Sequence, residues 1–206
     1  MTQEERDATI QRYEERLVQY GQSAQALGWR DQKQQWLRFD ILSQIAPLQG
    51  AKILDVGCGF GDFYLYLKER GIQVEYVGYD IVPSLLDIAM EQHPDARFEL
   101  CDITIEAPTE KFDYVFSSGI LNHKIEDNMA FARTLITKCF EHATKGAAIN
   151  MMTSYVDFRD EYLYYYSPEE IFSFVKSLTR FVTVRHDYAL YEFTLHLYHE
   201  KGVIHS

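Results

Sequence analysis

The sequence reads Asp55-Val56-Gly57-Cys58-Gly59-Phe60-Gly61-Asp62 at the junction between a short apolar run and a stretch with helical spacing. Glycines at such a strand-to-helix turn permit a tight bend and let a ligand approach the backbone where a Cβ atom would clash. The spacing is GxGxG rather than the GxGxxG of dinucleotide loops, and Asp62 stands where a pyrophosphate would need the helix N-terminus. We therefore expect a ligand-binding loop for a ligand without phosphates.

Strand-like and helical segments alternate along the chain on the C-terminal side of this loop. Strands are predicted at 51–56, 74–79, 97–100, 112–117 and 147–152, and helices at 62–70, 83–92, 126–142 and after Ser167. Lys145 and Gly146 are expected to turn the chain into the fifth strand. The segments 181–187 and 192–199 alternate in period two, as in an antiparallel hairpin, and the first 45 residues are predicted to form two helices.

This order of elements predicts an α/β fold: a doubly wound, mostly parallel sheet with an antiparallel C-terminal hairpin strand, preceded by N-terminal helices. We expect a single domain over residues 1–206, in which 1–46 form a helical extension or lid and 51–206 form the core. Ligands in such sheets bind at the carboxyl ends of the strands.

Two further acids stand at predicted strand ends. Asp80 ends the second strand, where its carboxylate can accept hydrogen bonds from two vicinal ribose hydroxyls. Asp102 follows the third strand and can accept a hydrogen bond from an exocyclic amine. Either acid alone is compatible with a helix cap or a solvated loop. Together with the glycine loop they indicate a nucleoside-containing ligand.

From about Lys52 to Met152 the chain resembles the class I S-adenosylmethionine-dependent methyltransferases. The resemblance implies that S-adenosyl-L-methionine is the cofactor, with the glycine loop beside its methionine part, Asp80 on the ribose and Asp102 near the adenine. It also implies a Rossmann-like methyltransferase fold, whose last strand is antiparallel. The cofactor-binding residues it implies are Asp55, Gly57, Gly59, Gly61, Asp80, Ile81, Asp102, Ile103, Ser118 and Arg38.

The net charge and the number and spacing of cysteines restrict which partners the protein can bind and which cellular compartment is expected. The chain has 20 basic and 31 acidic residues among 206, for a formal charge of −11, which argues against nucleic acid and anionic membranes as partners. No apolar run approaches about 18 residues, and the charged start is unlike a signal peptide. The 3 cysteines are far apart, with no CxxC pair, as expected for a reduced, cytoplasmic protein without a metal site.

The segment after the fourth strand indicates the kind of methyl acceptor. It lacks the Asp/Asn-Pro-Pro-aromatic tetrapeptide and the paired-glutamate loop of methyltransferases that act on macromolecules, and instead resembles small-molecule methyltransferases, in which leucine is closely followed by histidine. We therefore expect O- or N-methylation of a small metabolite. His123 is the candidate general base, although a histidine that packs beside the next helix is an equal alternative.

Two aromatic segments are the candidate walls of the acceptor pocket. The first contains Trp29, Trp36 and Arg38. We expect the guanidinium of Arg38 to pair with the methionine carboxylate of the cofactor, although a solvated arginine on the helix surface is the alternative. The second, 155–166, contains five tyrosines that would suit a flat or cationic acceptor. Two other functions remain open: a non-catalytic cofactor-binding partner or sensor, and an NAD-dependent oxidoreductase. The sequence does not fix the oligomeric state.

Overall fold

The structure, a computed structural model, describes residues 1–106 and 108–200. The helices are α1 (Gln3–Tyr20), α2 (Gln32–Ser43), α3 (Asp62–Glu69), α4 (Pro83–Gln92), α5 (Asn128–His142) and α6 (Pro168–Val175). The strands are β1 (Lys52–Val56), β2 (Glu75–Asp80), β3 (Arg97–Leu100), β4 (Phe112–Ser117), β5 (Ala143–Met152), β6 (Phe181–Arg185) and β7 (Glu192–Tyr198).

The strands form one 7-stranded sheet in the order β3-β2-β1-β4-β5-β7-β6. Strands β1 to β5 are parallel, whereas β7 pairs antiparallel with both β5 and β6. The order reverses between β1 and β4, so a crevice opens outside their carboxyl ends. The predicted α/β fold with an antiparallel C-terminal hairpin is therefore confirmed.

Helices cover both faces of the sheet. Alternate residues of the central strands point to opposite faces: Leu54 and Val56 pack with α5 and α6, whereas Ile53 packs with α2, α3 and α4. Each face therefore has its own hydrophobic core, and the central strands are buried on both sides. Within the described residues, no helix combines the length and the apolar character needed to cross a membrane.

One predicted turn is wrong. Lys145 and Gly146 lie inside β5, which begins at Ala143 directly after α5. A Cβ atom on Gly146 would lie 2.5 Å from the carbonyl oxygen of Leu197 in the neighbouring β7. This glycine allows two backbones to approach closely inside the sheet, which is a second common reason for a glycine in a strand.

Candidate active site

The glycine loop between β1 and α3 is tied to the end of β2. The backbone N–H groups of Gly57 and Cys58 donate to the carbonyl oxygen of Tyr79, at 2.7 Å and 3.1 Å. Gly57 and Gly59 have φ angles of +76° and +54°, a region that side-chain-bearing residues rarely adopt. A Cβ atom on Gly57 would also lie 2.6 Å from the Ile120 side chain. The backbone conformation therefore favours glycine at both positions, and a side chain at Gly57 would displace Ile120.

Asp80 is held in a fixed orientation at the end of β2. Its two carboxylate oxygens accept hydrogen bonds from the backbone N–H groups of Gly59, at 2.9 Å, and Val82, at 3.0 Å. Burial raises the pKa of this carboxyl, while these hydrogen bonds act in the opposite direction. A carboxylate offers about four lone-pair sites, so each oxygen can still accept another donor.

Asp55 and Asp62 begin and end the glycine loop. The buried carboxylate of Asp55 accepts a hydrogen bond from the Tyr76 hydroxyl at 2.6 Å, and burial raises its pKa to about 7. Asp62 accepts one from the side-chain amide of Gln35, in α2, at 2.7 Å, and burial raises its pKa as well. The loop therefore carries carboxyl groups that are largely shielded from water.

Asp102, after β3, contacts the N-terminal helix. One carboxylate oxygen accepts from the backbone N–H of Thr104 at 2.9 Å, and the other pairs with the guanidinium of Arg6 in α1. A second contact of α1 is made by the carboxylate of Glu5, which accepts a hydrogen bond from the backbone N–H of Glu126 at 2.7 Å. These contacts hold α1 across the carboxyl ends of the strands.

A cavity with about 1150 Å³ of empty space, including its open mouth, lies between α1 and the strand ends. Most of the predicted site residues line it: Asp55, Gly57, Gly59, Asp80, Ile81, Asp102, Ile103, Ser118 and His123. The hydroxyl oxygen of Ser118 is buried and has no hydrogen-bond partner among the described residues. The cavity therefore brings the glycine loop and the ends of several strands to one place.

Two predicted cofactor-binding residues lie outside the cavity lining, Arg38 and Gly61. Arg38 was expected to meet a ligand carboxylate; in the structure its buried guanidinium is paired instead with the carboxylate of Glu192 in β7. Gly61 is the N-cap of α3 in a left-handed conformation, and a Cβ atom there would lie 2.8 Å from the ring of His93. In the structure, Gly61 therefore begins α3 at a position where the helix packs closely against His93.

The Arg38–Glu192 pair belongs to a buried network that reaches the loop after β4. Glu192 also accepts the side-chain N–H of Asn150 at 2.7 Å, and the amide oxygen of Asn150 accepts the backbone N–H of Gly119 at 3.2 Å. The guanidinium of Arg38 stacks on the ring of Trp29, 4.2 Å from its centroid. A Cβ on Gly119 would lie 2.7 Å from the same ring. Trp29 is therefore fixed between Arg38 and the loop.

The tyrosine-rich segment 155–166 does not line the cavity, so the expected second wall is absent from it. Tyr166 is fully buried in the core, whereas Tyr155 and Tyr162 are exposed on the surface. The segment instead supports the loop that carries His123: the backbone N–H of Lys124 donates to the carbonyl oxygen of Tyr162, at 2.9 Å. Its aromatic content fills the core and covers the surface rather than the ligand site.

His123 lies in the cavity wall with its ring edge-on to Tyr13, at a centroid distance of 6.1 Å. Burial, and then the charges of Arg12 and Arg16, lower its pKa to about 4. The imidazole is therefore neutral at pH 7, and the lowered pKa makes it a weaker base than a solvated histidine. The carbonyl oxygen of His123 accepts the side-chain amide N–H of Asn128 at 2.8 Å, which fixes the backbone.

Sequence reasoning missed the contribution of α1. Thr9 and Tyr13 of α1 line the cavity, together with Met1 just before the helix. Burial, followed by the charge of Asp80, raises the pKa of the Tyr13 hydroxyl to about 12, so this side chain lies in a dry part of the site. No signal in the polar sequence of α1 distinguishes these residues, which lie within the segment 1–46 predicted as a helical extension or lid.

Similar proteins and a matching family model are methyltransferases. Residues 53–146 match the family model described as a methyltransferase domain. Rv1506c of Mycobacterium tuberculosis, which is named as a methyltransferase, is 32% identical over 154 residues, covering 69% of this chain and 90% of that protein. The tRNA U34 carboxymethyltransferase of Pseudoalteromonas translucida is 36% identical over 103 residues, but this covers 47% of the chain and 30% of that enzyme.

Among solved structures, magnesium protoporphyrin IX methyltransferase of Synechocystis PCC 6803, crystallised with S-adenosylhomocysteine, superposes with a TM-score of 0.63. It is 17% identical, and the match covers 82% of this chain and 84% of that one, so it supports the fold alone. The extensive match to Rv1506c, together with the family model, favours a transferase over the oxidoreductase alternative. The chain belongs to the class I S-adenosylmethionine-dependent methyltransferases.

Proposed function

We propose that this protein transfers a methyl group from S-adenosyl-L-methionine to an oxygen or nitrogen atom of a small-molecule metabolite. The observation that carries the proposal is the single cavity that the glycine loop, Asp80, Asp102 and His123 share. S-adenosylmethionine supplies, when bound, a methyl group on a sulfonium that a nucleophile can displace. The protein's own work is then to align the two reactants and exclude water.

The residues present fit that cofactor. The carboxylate of Asp80 is fixed by two backbone N–H groups and keeps free lone pairs for ribose hydroxyls. The turn at Gly57 and Gly59 leaves open the space that Cβ atoms would fill. The unpartnered hydroxyl of Ser118 is available to a polar group of the ligand. We also propose that 1–206 act as one domain, with 1–46 as its lid.

A small acceptor is supported by the roof over the cavity. The helix α1 is held across the strand ends by the Arg6–Asp102 pair and by Glu5. A nucleotide within a folded RNA would have to pass this helix, and the formal charge of −11 would oppose its approach. The activity named for the tRNA enzyme is therefore not proposed for this chain, and the roof formed by α1 favours a small acceptor.

Replacing Asp80 with alanine is expected to weaken cofactor binding by about 1–3 kcal/mol, the scale of lost hydrogen bonds to a charged group. Isothermal titration with S-adenosylmethionine measures the affinity of each protein. Asp87→Ala is the matched control, because Asp87 is an exposed acid on the neighbouring α4 and should leave the affinity unchanged. Unchanged affinity of Asp80→Ala would remove Asp80 from the site, and absence of binding by the wild type would refute the cofactor.

Replacing Arg6 with alanine is expected to speed the release of S-adenosylhomocysteine about tenfold, because charged hydrogen bonds of this kind contribute about 1.5–3 kcal/mol. The rate can be followed by stopped-flow displacement with the fluorescence of Trp29, which lines the cavity. Glu14→Ala is the control on the same helix, since Glu14 is exposed and forms no ion pair among the described residues. An unchanged release rate for Arg6→Ala would show that the Arg6–Asp102 contact does not retain the ligand.

A further inference from the structure

The charges around the cavity are strongly one-sided. Four aspartates line it: Asp55, Asp62, Asp80 and Asp102. No lysine or arginine is found among the described residues of the lining. His123 adds no positive charge at pH 7, because its pKa is lowered to about 4. The site thus has no cation of its own that faces a bound ligand.

Most arginines around the cavity already bind other groups of the protein. Arg6 pairs with Asp102, and Arg38 pairs with Glu192. Arg16 donates through its guanidinium to the backbone carbonyl oxygens of Gln25 and Ala26. Arg12 is the exception, since it forms no ion pair with a described residue. It lies outside the cavity lining and is close enough to lower the pKa of His123.

An acceptor with a net negative charge would be disfavoured for two reasons, unlike the cofactor, whose carboxylate is offset by its own ammonium and sulfonium groups. The charge of such an acceptor would lose hydration without gaining a paired cation, which is costly in a partly buried site. It would also be repelled by those carboxylates of the lining that are ionised, and this repulsion is stronger in a low-dielectric cavity than in water. Much of the remaining wall is apolar or aromatic, with Tyr13, Leu27, Trp29 and Ile120, and its other polar residues, such as Thr9, Gln35 and Ser118, are uncharged.

We infer that the methyl acceptor carries no net negative charge at pH 7 and presents an apolar body to the wall formed by Tyr13, Leu27, Trp29 and Ile120. This inference rests on the proposed small-molecule methyl transfer. In that reaction a lone pair on the acceptor's oxygen or nitrogen forms a bond to the methyl carbon as the carbon–sulfur bond breaks. The electron pair of the broken bond stays on sulfur, and the acceptor's proton passes to the neutral ring of His123 and then to water.

The test is a methyl-transfer assay on metabolites sorted by charge. A deproteinised small-molecule extract of the source cells is separated at pH 7 into three pools: retained by an anion exchanger, retained by a cation exchanger, and retained by neither. Each pool is incubated with the protein and S-adenosylmethionine labelled in its methyl group, with heat-inactivated protein as the blank. We expect the neutral or cationic pool to receive at least tenfold more label than the anionic pool.

Predominant labelling of the anionic pool would overturn the inference and leave the proposed function standing. The variant Arg12→Ala then identifies the reason: loss of that labelling would show that Arg12 supplies the missing cation. Absence of label in every pool, with cofactor binding intact by titration, would instead refute the small-molecule proposal and the inference with it. Absence of cofactor binding is a third, separately recognised result that refutes both.

Discussion

Replacing Glu192 with alanine is expected to lower the free energy of unfolding by about 3–5 kcal/mol, the cost of removing one partner of a buried ion pair. The Glu192 side chain is 3% exposed and that of Arg38 is 8% exposed. The variant would leave the guanidinium charged and buried, and would also remove the acceptor of the Asn150 amide. Urea unfolding followed by circular dichroism measures the loss.

The control for this prediction is a double variant, Arg38→Met with Glu192→Met. Replacing both members of a buried pair by apolar side chains of similar volume is often neutral or stabilising. The double variant should therefore be more stable than Glu192→Ala. If Glu192→Ala unfolded at the same urea concentration as the wild type, the pair would not be desolvated in solution, and the network would not hold the loop after β4.

Replacing His123 with alanine is expected to reduce turnover about 10²–10⁴-fold, the usual contribution of a positioned general base. Cofactor affinity should change little, because the contacts of Asp80 are left intact. Methyl transfer to the acceptor pool identified above measures turnover, and isothermal titration measures affinity. Equal losses of both would indicate a packing role against Tyr13 instead.

The pH profile separates a base from a merely structural histidine. A group with a pKa of about 4 is unprotonated above about pH 5, so His123 itself should limit activity only as the pH approaches 4, whereas Asp55, with a pKa of about 7, is the group of the cavity that titrates near neutrality. An acid limb near pH 6.5 would mean that His123 is exposed in solution or that another group titrates.

The same lowered pKa has a consequence for stability. His123 binds a proton more readily in the unfolded chain than in the folded one, so it favours folding above about pH 6.5 and loses this contribution as the pH falls toward 4. Asp55, whose pKa is raised to about 7, acts in the opposite direction. Its contribution is fully present below its unfolded value and is lost as the pH rises toward 7.

Those features of the site that depend on local sequence could be predicted. Asp80 and Asp102 follow strands whose apolar patterns are clear, and parallel strands bring their carboxyl ends to one edge. Gly57 and Gly59 were predictable because a tight turn needs φ angles that other residues avoid. The strand pattern also indicated the antiparallel end of the sheet.

Other features depend on contacts between distant parts of the chain. The partner of Arg38 is Glu192, 154 residues away, and no periodicity in α2 predicts that this arginine faces inward to a carboxylate. Similarly, tyrosines at 155–166 suit a ligand pocket as well as a core by composition alone. Their placement is decided by packing of the segment against the loop of His123.

The helix α1 contributes side chains to the cavity but none of its residues is fully buried. Ligand selection and folding therefore draw on different parts of this protein. Substitutions at Thr9 or Tyr13 can reshape the roof without removing any side chain from the two cores of the sheet, whereas Met1, before α1, packs against one of these cores. For directed evolution, this makes α1 the first region to randomise in search of new acceptors, with little loss of properly folded variants expected in the library.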